Sequence, residues 1–232
     1  MDDDLVKSTT KLLERVKRLL ARQRLTAPTQ RILIALAGVP GSGKTTISDA
    51  LVKELKRNCI SDVAVLPMDG FHYTRTTLSS FKDPDEALRR RGAPFTFDAA
   101  ALLDLVALIR KTPVTAHNEP QIIVKAPEFD HARKDPIQDA IKISSRAKVV
   151  IIEGNYVLLD QEPWNCISTL VDDKWFVDVA VDIARERLAS RHLRAGIETT
   201  IDAAIKRADE NDIPNGEFIR SRLIEPNVRI IN

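Results

Sequence analysis

Short unbroken apolar runs alternate along this chain with longer stretches in which apolar residues return every three or four positions. The runs at 32–37, 63–68, 148–152 and 174–181 are of strand length, and they predict strands buried on both faces. Helical spacing predicts helices over 46–57, 98–110 and about 182–195, the last ended by Gly196, which tolerates a left-handed cap. At the start, Leu5, Leu12, Val16, Leu19 and Leu20 fall near helical spacing, with Lys7, Lys11, Arg15, Arg18 and Arg22 on other positions. This predicts an N-terminal helix within 1–27 docked on the body. Its basic residues read as a solvated face, with a membrane surface or a partner as the alternative. The segment 225–231 adds a last strand. Strands alternating with helices predict an α/β, three-layer αβα fold around a mainly parallel five-stranded sheet. No linker or internal repeat interrupts the 232 residues, so 1–232 reads as a single domain.

Polar residues interrupt this pattern at strand ends, which is where ligands of open α/β sheets gather. The first run leads into Gly38-Val39-Pro40-Gly41-Ser42-Gly43-Lys44-Thr45, a full G-x-x-x-x-G-K-T phosphate-binding loop between a strand and a helix. Gly38, Gly41 and Gly43 let backbone N–H groups curl around phosphate oxygens, and the helix N-terminus adds partial positive charge. Pro40, Ser42 and Thr46 complete the set assigned to the nucleotide. Lys44 is placed to reach the β- and γ-phosphates and the Thr45 hydroxyl to ligate Mg²⁺. The expectation is a P-loop NTPase fold that takes ATP with Mg²⁺.

Two acids close later runs. Asp69 opens Asp69-Gly70-Phe71-His72, where a carboxylate can accept a proton from an acceptor hydroxyl or help to hold Mg²⁺. Asp-Gly also signals an ordinary turn. Val149-Val150-Ile151-Ile152-Glu153-Gly154 has the form of a Walker B strand whose acid holds Mg²⁺ directly or through water. On the helix after residue 181, Arg187, Arg191 and Arg194 stand at i, i+4 and i+7 and share one face. Three guanidinium groups there repel unless anions meet them, and transferring phosphate oxygens are suitable anions. A solvated basic face, helped by Glu186, is the alternative.

Composition narrows the classes further. With 35 basic and 33 acidic residues and a formal charge of +2, no global field recruits nucleic acid or an anionic membrane. Aromatic content of 5% offers few platforms for stacked bases. Cys59 and Cys166 form no disulfide framework or metal spacing, and His72 and His131 lack partners for a metal site. No apolar run is long enough to span a membrane, and Met1-Asp2-Asp3-Asp4 is unlike a secretory or mitochondrial signal. A cytoplasmic monomer or homodimer is expected.

Taken with Met68-Asp69-Gly70-Phe71-His72, Gly92-Ala93-Pro94-Phe95-Thr96-Phe97-Asp98, Pro127-Glu128-Phe129-Asp130 and Ile152-Glu153-Gly154-Asn155-Tyr156, the P-loop and the arginine-bearing helix resemble one group of P-loop kinases. This is the phosphoribulokinase and uridine kinase family, which includes bacterial-type pantothenate kinase. The resemblance covers about 31–231 and lies nearest a fungal and bacterial branch without an assigned substrate. It implies an ATP-dependent kinase that phosphorylates a hydroxyl of a small metabolite: a nucleoside, a sugar or a pantothenate-like alcohol. It implies Asp69 as catalytic base, Glu153 serving the metal site beside Thr45, and Lys44 and Arg191 stabilising the transferring group. Arg187 and Arg191 would sit on a helical lid at roughly 182–212. The implied acceptor pocket comprises Asp69, His72, Phe97, Phe129, Asp130, Arg133, Asn155 and Tyr156. Phe129-Asp130 stands where uridine kinases carry Tyr-Asp, which removes a phenol contact and turns the expectation away from uridine itself. The Arg89-Arg90-Arg91 run reads as solvated surface, with an anionic acceptor as the alternative. The other functional reading is a nucleotide-gated interaction protein that hydrolyses ATP slowly.

Overall fold

The computed structural model describes residues 3–232, so Met1 and Asp2 of the expected N-terminal helix lie outside the described residues. The first part of the chain forms α1 (Asp3–Thr26), β1 (Ile32–Gly38), α2 (Lys44–Arg57), β2 (Val63–Pro67), α3 (Arg75–Leu78), α4 (Pro84–Arg89) and α5 (Ala99–Lys111). The hairpin strands β3 (Ile123–Asp130) and β4 (Asp135–Ser144) follow, then β5 (Val149–Glu153), α6 (Ile167–Leu170) and β6 (Asp173–Asp178). The chain closes with α7 (Val181–Arg194), α8 (Ile201–Arg207), a π-helical turn at Ala208–Asp212, α9 (Ile213–Ser221) and β7 (Val228–Ile231).

Five strands form one parallel sheet in the order β2-β5-β1-β6-β7. Every residue of the central strand β1 is buried, which is why its sequence is a continuous apolar run and not an alternation. The two-residue period of the strand still divides it between two cores. Leu33, Ala35 and Ala37 pack with Val150, Ile152, Phe176 and the α5 residues Leu102, Val106 and Ile109. Ile32, Ile34 and Leu36 pack with Val149, Ile151, Trp175 and the α1 and α2 residues Leu12, Val16, Leu51 and Leu55. Helices therefore cover both faces, giving the three layers.

The structure departs from the sequence pattern in three places. The 174–181 run outlasts its strand, because Val179 stays buried in the core after pairing has ended at Asp178 and Val181 already belongs to α7. On α1, Arg15 is not part of a solvated face: it binds Asp173 through Nε and Nη2 at 2.7 and 2.8 Å, and Trp175 Nε1 donates to the same carboxylate at 2.7 Å. Asp173 is 1% exposed, so its charge needs that partner. Finally, no apolar run of strand length announces the antiparallel β3–β4 hairpin, whose second strand buries only Ile143. The hairpin seats on the Asp69 turn so closely that a Cβ on Gly70 would lie 2.2 Å from the Pro127 carbonyl oxygen. Only glycine fits there.

Candidate active site

β1 delivers the chain into the phosphate-binding loop, and Gly43 (φ 83°) caps α2 in the left-handed conformation. No side chain caps this helix end and its first turn carries no acid, so its N–H groups and partial positive charge are left for an anion. Lys44 Nζ donates to Asn155 Oδ1 at 2.6 Å and to the Val39 carbonyl oxygen at 3.3 Å. Burial pulls its pKa down to about 8, opposed by the charges of Glu153 and Asp69 and reinforced by Arg191. The Thr45 hydroxyl donates to Glu153 Oε1 at 2.6 Å. Glu153 is buried at the end of β5, and that burial raises its pKa against the hydrogen bond from Thr45 and the charge of Lys44. A hydroxyl beside a desolvated carboxylate fits Mg²⁺, a hard cation that takes oxygen ligands and leaves much of its octahedron to phosphate and water.

Asp69 lies just past β2, exposed, in the 3₁₀ turn Met68–Phe71. Its charge acts on Lys44, Glu153 and His72, so the ends of β1, β2 and β5 gather acid, lysine and the threonine–glutamate pair around one basin. His72 Nδ1 lies 2.8 Å from the Asp69 carbonyl oxygen, which can only accept, so Nδ1 carries the proton. The His72 ring stacks on Phe97 at 3.9 Å and Phe129 at 4.8 Å between centroids, and burial lowers its pKa. From α7, Arg187 Nη1 reaches the Gly41 carbonyl oxygen at 3.4 Å. Arg191 stands 3.9 Å from Asp212 and close enough to Lys44 to depress it. Arg194 instead folds back to the Ser190 carbonyl oxygen on its own helix and leaves the group of three.

Several residues expected to line an acceptor pocket already have partners within the protein. Tyr156 is fully buried, its hydroxyl donating to the Gly92 carbonyl oxygen at 2.6 Å, so it is a wall without a free polar atom. Phe97 is likewise buried, against His72, Tyr156 and Trp164. The Asn155 oxygen is taken by Lys44, which makes this residue a holder of the lysine. Asp130 Oδ1 accepts from the Ala132 and Arg133 N–H groups at 2.8 and 3.1 Å, bonds that hold its pKa below the usual value, and exposed Arg133 pairs with its Oδ2 at 3.5 Å. Local side-chain bonds of this kind close the hairpin turn.

The arginine run also divides. Arg89 pairs with Glu86, and Arg90 Nε donates to Asn211 Oδ1 at 3.3 Å. Arg91 is mostly buried; it holds Asp135 at 2.7 Å and the Tyr73 carbonyl oxygen at 2.9 Å while lying over Phe129, and so braces the hairpin against the Asp69 loop.

Asn232 was invisible to pattern. Its Nδ2 donates to the Ser42 carbonyl oxygen at 2.7 Å, across 190 residues. Carbonyl and N–H point oppositely across a trans peptide, so fixing the Ser42 oxygen also fixes the direction of the Gly43 N–H.

A parallel αβα sheet, a phosphate loop and strand-end carboxylates define a P-loop kinase. The phosphoribulokinase / uridine kinase family model matches residues 33–197, and the chain belongs to that family. It is 39% identical over 224 residues to a candidate uridine kinase of Schizosaccharomyces pombe, covering 96% of this chain and 90% of that protein. It is 37% identical over 201 residues to the ATP-dependent kinase YFH7 of Saccharomyces cerevisiae, covering 75% of this chain but 56% of the yeast protein. Among solved structures, a candidate fructose transport system kinase from Silicibacter sp. TM1040 has a TM-score of 0.73 at 34% identity, covering 86% of this chain and 89% of that one. The structure of yeast YFH7 has a TM-score of 0.84 at 27% identity, covering 97% and 99%.

Proposed function

We propose that this protein is an ATP-dependent kinase that passes the γ-phosphoryl group to a hydroxyl of a small metabolite, working as one domain whose helical segment at roughly 182–212 closes as a lid. The observation that carries this reading is the single basin shared by Lys44, the Thr45–Glu153 pair and Asp69. Transfer to an alcohol calls for a base near the phosphate-binding lysine, and Asp69 is that base. Thr45 and Glu153 would hold Mg²⁺, which when bound neutralises charge between the β- and γ-phosphates. Lys44 receives the phosphate oxygens and Arg187 and Arg191 approach from α7, so charge spreading over the transferring group meets fixed cations.

The acceptor classes are a nucleoside, a sugar or a pantothenate-like alcohol, the first two echoed in the names of the fission-yeast and Silicibacter relatives. Among the described residues no helix is long and apolar enough to cross a membrane, and the cytoplasm is the working compartment. The test is a screen of these alcohols with Mg·ATP, following ADP release and product mass, repeated with Asp69→Asn. Acceptor-dependent ADP release with a gain of one phosphoryl group, lost in the variant, supports the kinase. ATP turnover indifferent to every acceptor and to Asp69→Asn would replace it with a nucleotide-gated interaction protein.

A further inference from the structure

The π-helical turn Ala208–Asp212 meets α7 at two points that differ in kind. At its start Asp209 takes the Arg185 guanidinium at 2.6 Å, a closed pair that Asp182 shares at 2.7 Å. At its end Asp212 divides its carboxylate. Oδ2 lies 2.9 Å from His192 Nε2, and Oδ1 faces Arg191 Nη2 at 3.9 Å, inside ion-pair reach but beyond a hydrogen bond. A carboxylate only accepts, so Nε2 carries the proton, and the buried His192 Nδ1 has no partner among the described residues. His192 is 4% exposed, and burying a ring with one nitrogen unpaired costs stability. What that burial secures is the orientation of one carboxylate. The turn is seated on the body: Ala208 is fully buried, while Asn211 receives Arg90 Nε at 3.3 Å and donates to the Arg91 carbonyl oxygen at 3.4 Å. Burial first, and then the charge of Asp212, push the Tyr156 pKa up, which sets this carboxylate near the ring bonded to Gly92. π-Helical distortions of this kind recur at functional sites.

We infer that Asp212, oriented by His192, is a positioning residue that aims the Arg191 guanidinium at the transferring phosphoryl group. This rests on the kinase reading of the basin. Arg191 sits at the end of a flexible stem, its side chain 58% exposed, and its charge acts on Lys44. Two cations near one point repel, so an untethered arginine would turn to solvent and would have to be gathered in again at every turnover. Among the described residues Asp212 is the carboxylate within reach of Arg191 that offsets this. Its distance matters as much as its charge. Arg185 is closed onto Asp209 and committed to it, whereas at 3.9 Å the Arg191 guanidinium is drawn inward without being engaged. It can swing onto a phosphate oxygen while its tether stays where His192 holds it.

The intact protein is assayed for ADP release from Mg·ATP, with water as acceptor and with the alcohol that the acceptor screen selects, and Mg·ADP affinity is followed by calorimetry. Asp212→Asn keeps the shape and the bond from His192 but not the charge, so kcat should fall by roughly 10–100-fold while KM for ATP and the Kd for Mg·ADP stay the same. Arg191→Ala should lower kcat likewise, and the double variant should be no slower than Arg191→Ala alone, because Asp212 acts through that arginine. His192→Leu should reproduce the Asp212→Asn loss, and His192→Gln, which returns a donor near the Nε2 position, should recover most of it; this series decides the matter if Asp212→Asn does not fold. Asp209→Asn, at the closed pair, should leave kcat unchanged. A fall in kcat with Arg191→Ala but not with Asp212→Asn overturns the inference and leaves the kinase reading standing. So do losses that multiply in the double variant, an equal loss of Mg·ADP affinity, or failure of His192→Gln to restore the rate. Indifference of ADP release to Arg191→Ala and to Asp69→Asn alike removes the kinase reading, and the inference with it.

Discussion

The phosphate-binding half of the site and its acceptor half are held together by different means. The first hangs on the ends of β1 and β5, neighbours in a fully buried ladder, and its side chains are tied to one another across that ladder: Thr45 to Glu153 and Lys44 to Asn155. The second, on the proposed function, is assembled from the Asp69 turn, the β3–β4 hairpin and the segment around residues 91–97. It is fastened by stacked rings and by Arg91. Strand ends hold a charge where the sheet puts it; loops and rings supply a shape that can change while the sheet does not. On the proposed function, reaction type would reside in one half and choice of molecule in the other.

Asp69 stands on the border of the two, and its replacement should have the largest effect. Asp69→Asn keeps the shape but not the proton acceptor, so kcat should fall by about 10²–10⁴-fold while Mg·ADP affinity, followed by calorimetry, stays the same. A parallel collapse in nucleotide affinity would assign Asp69 to the phosphate half. Glu153→Gln belongs wholly to that half: the apparent Mg²⁺ affinity, read from metal titrations of nucleotide binding, should drop by roughly 10–100-fold. KM for the acceptor should not move. On the acceptor side, Tyr156→Phe removes only the hydroxyl bonded to the Gly92 carbonyl and should cost about 1–2 kcal/mol in denaturant unfolding. Any accompanying kinetic change should sit in the acceptor KM and not in that for ATP. The smallest effect should come from Arg194→Ala, with unchanged turnover and stability within ~0.5 kcal/mol. Arg191→Ala, by contrast, should lower turnover, and equal effects of the two would restore the three-arginine face that the helical spacing suggests.

How far the sequence could be read follows the same border. The phosphate loop is contiguous, four of the five strands of the sheet are recognisable apolar runs, and Glu153 ends one of those runs, so the elements of the first half were legible from spacing alone. Helical periodicity placed Arg187, Arg191 and Arg194 on one face, but it carries no information about a side chain that turns back onto its own helix. The acceptor half depends on meetings between distant segments. Nothing near Tyr156 shows that its hydroxyl is taken by Gly92, and nothing near Arg15 shows the buried Asp173. Asp130 is hard to read for the opposite reason: its partners are two and three residues away, and a turn of that kind leaves the same residue types in the same order as a ligand site would.

The bond from Asn232 to the Ser42 carbonyl joins the phosphate grip to the end of an edge strand of the sheet, β7. β7 contributes four residues at the edge, the part of a sheet most ready to fray. When it lifts, the amide withdraws from the loop and the Ser42–Gly43 peptide is free to rotate, so the seated strand and the ordered loop are two readings of one equilibrium. Linkage makes the effect mutual. A triphosphate held by the loop should slow hydrogen exchange along Val228–Ile231, and loosening that strand should be felt as a shorter residence of the nucleotide.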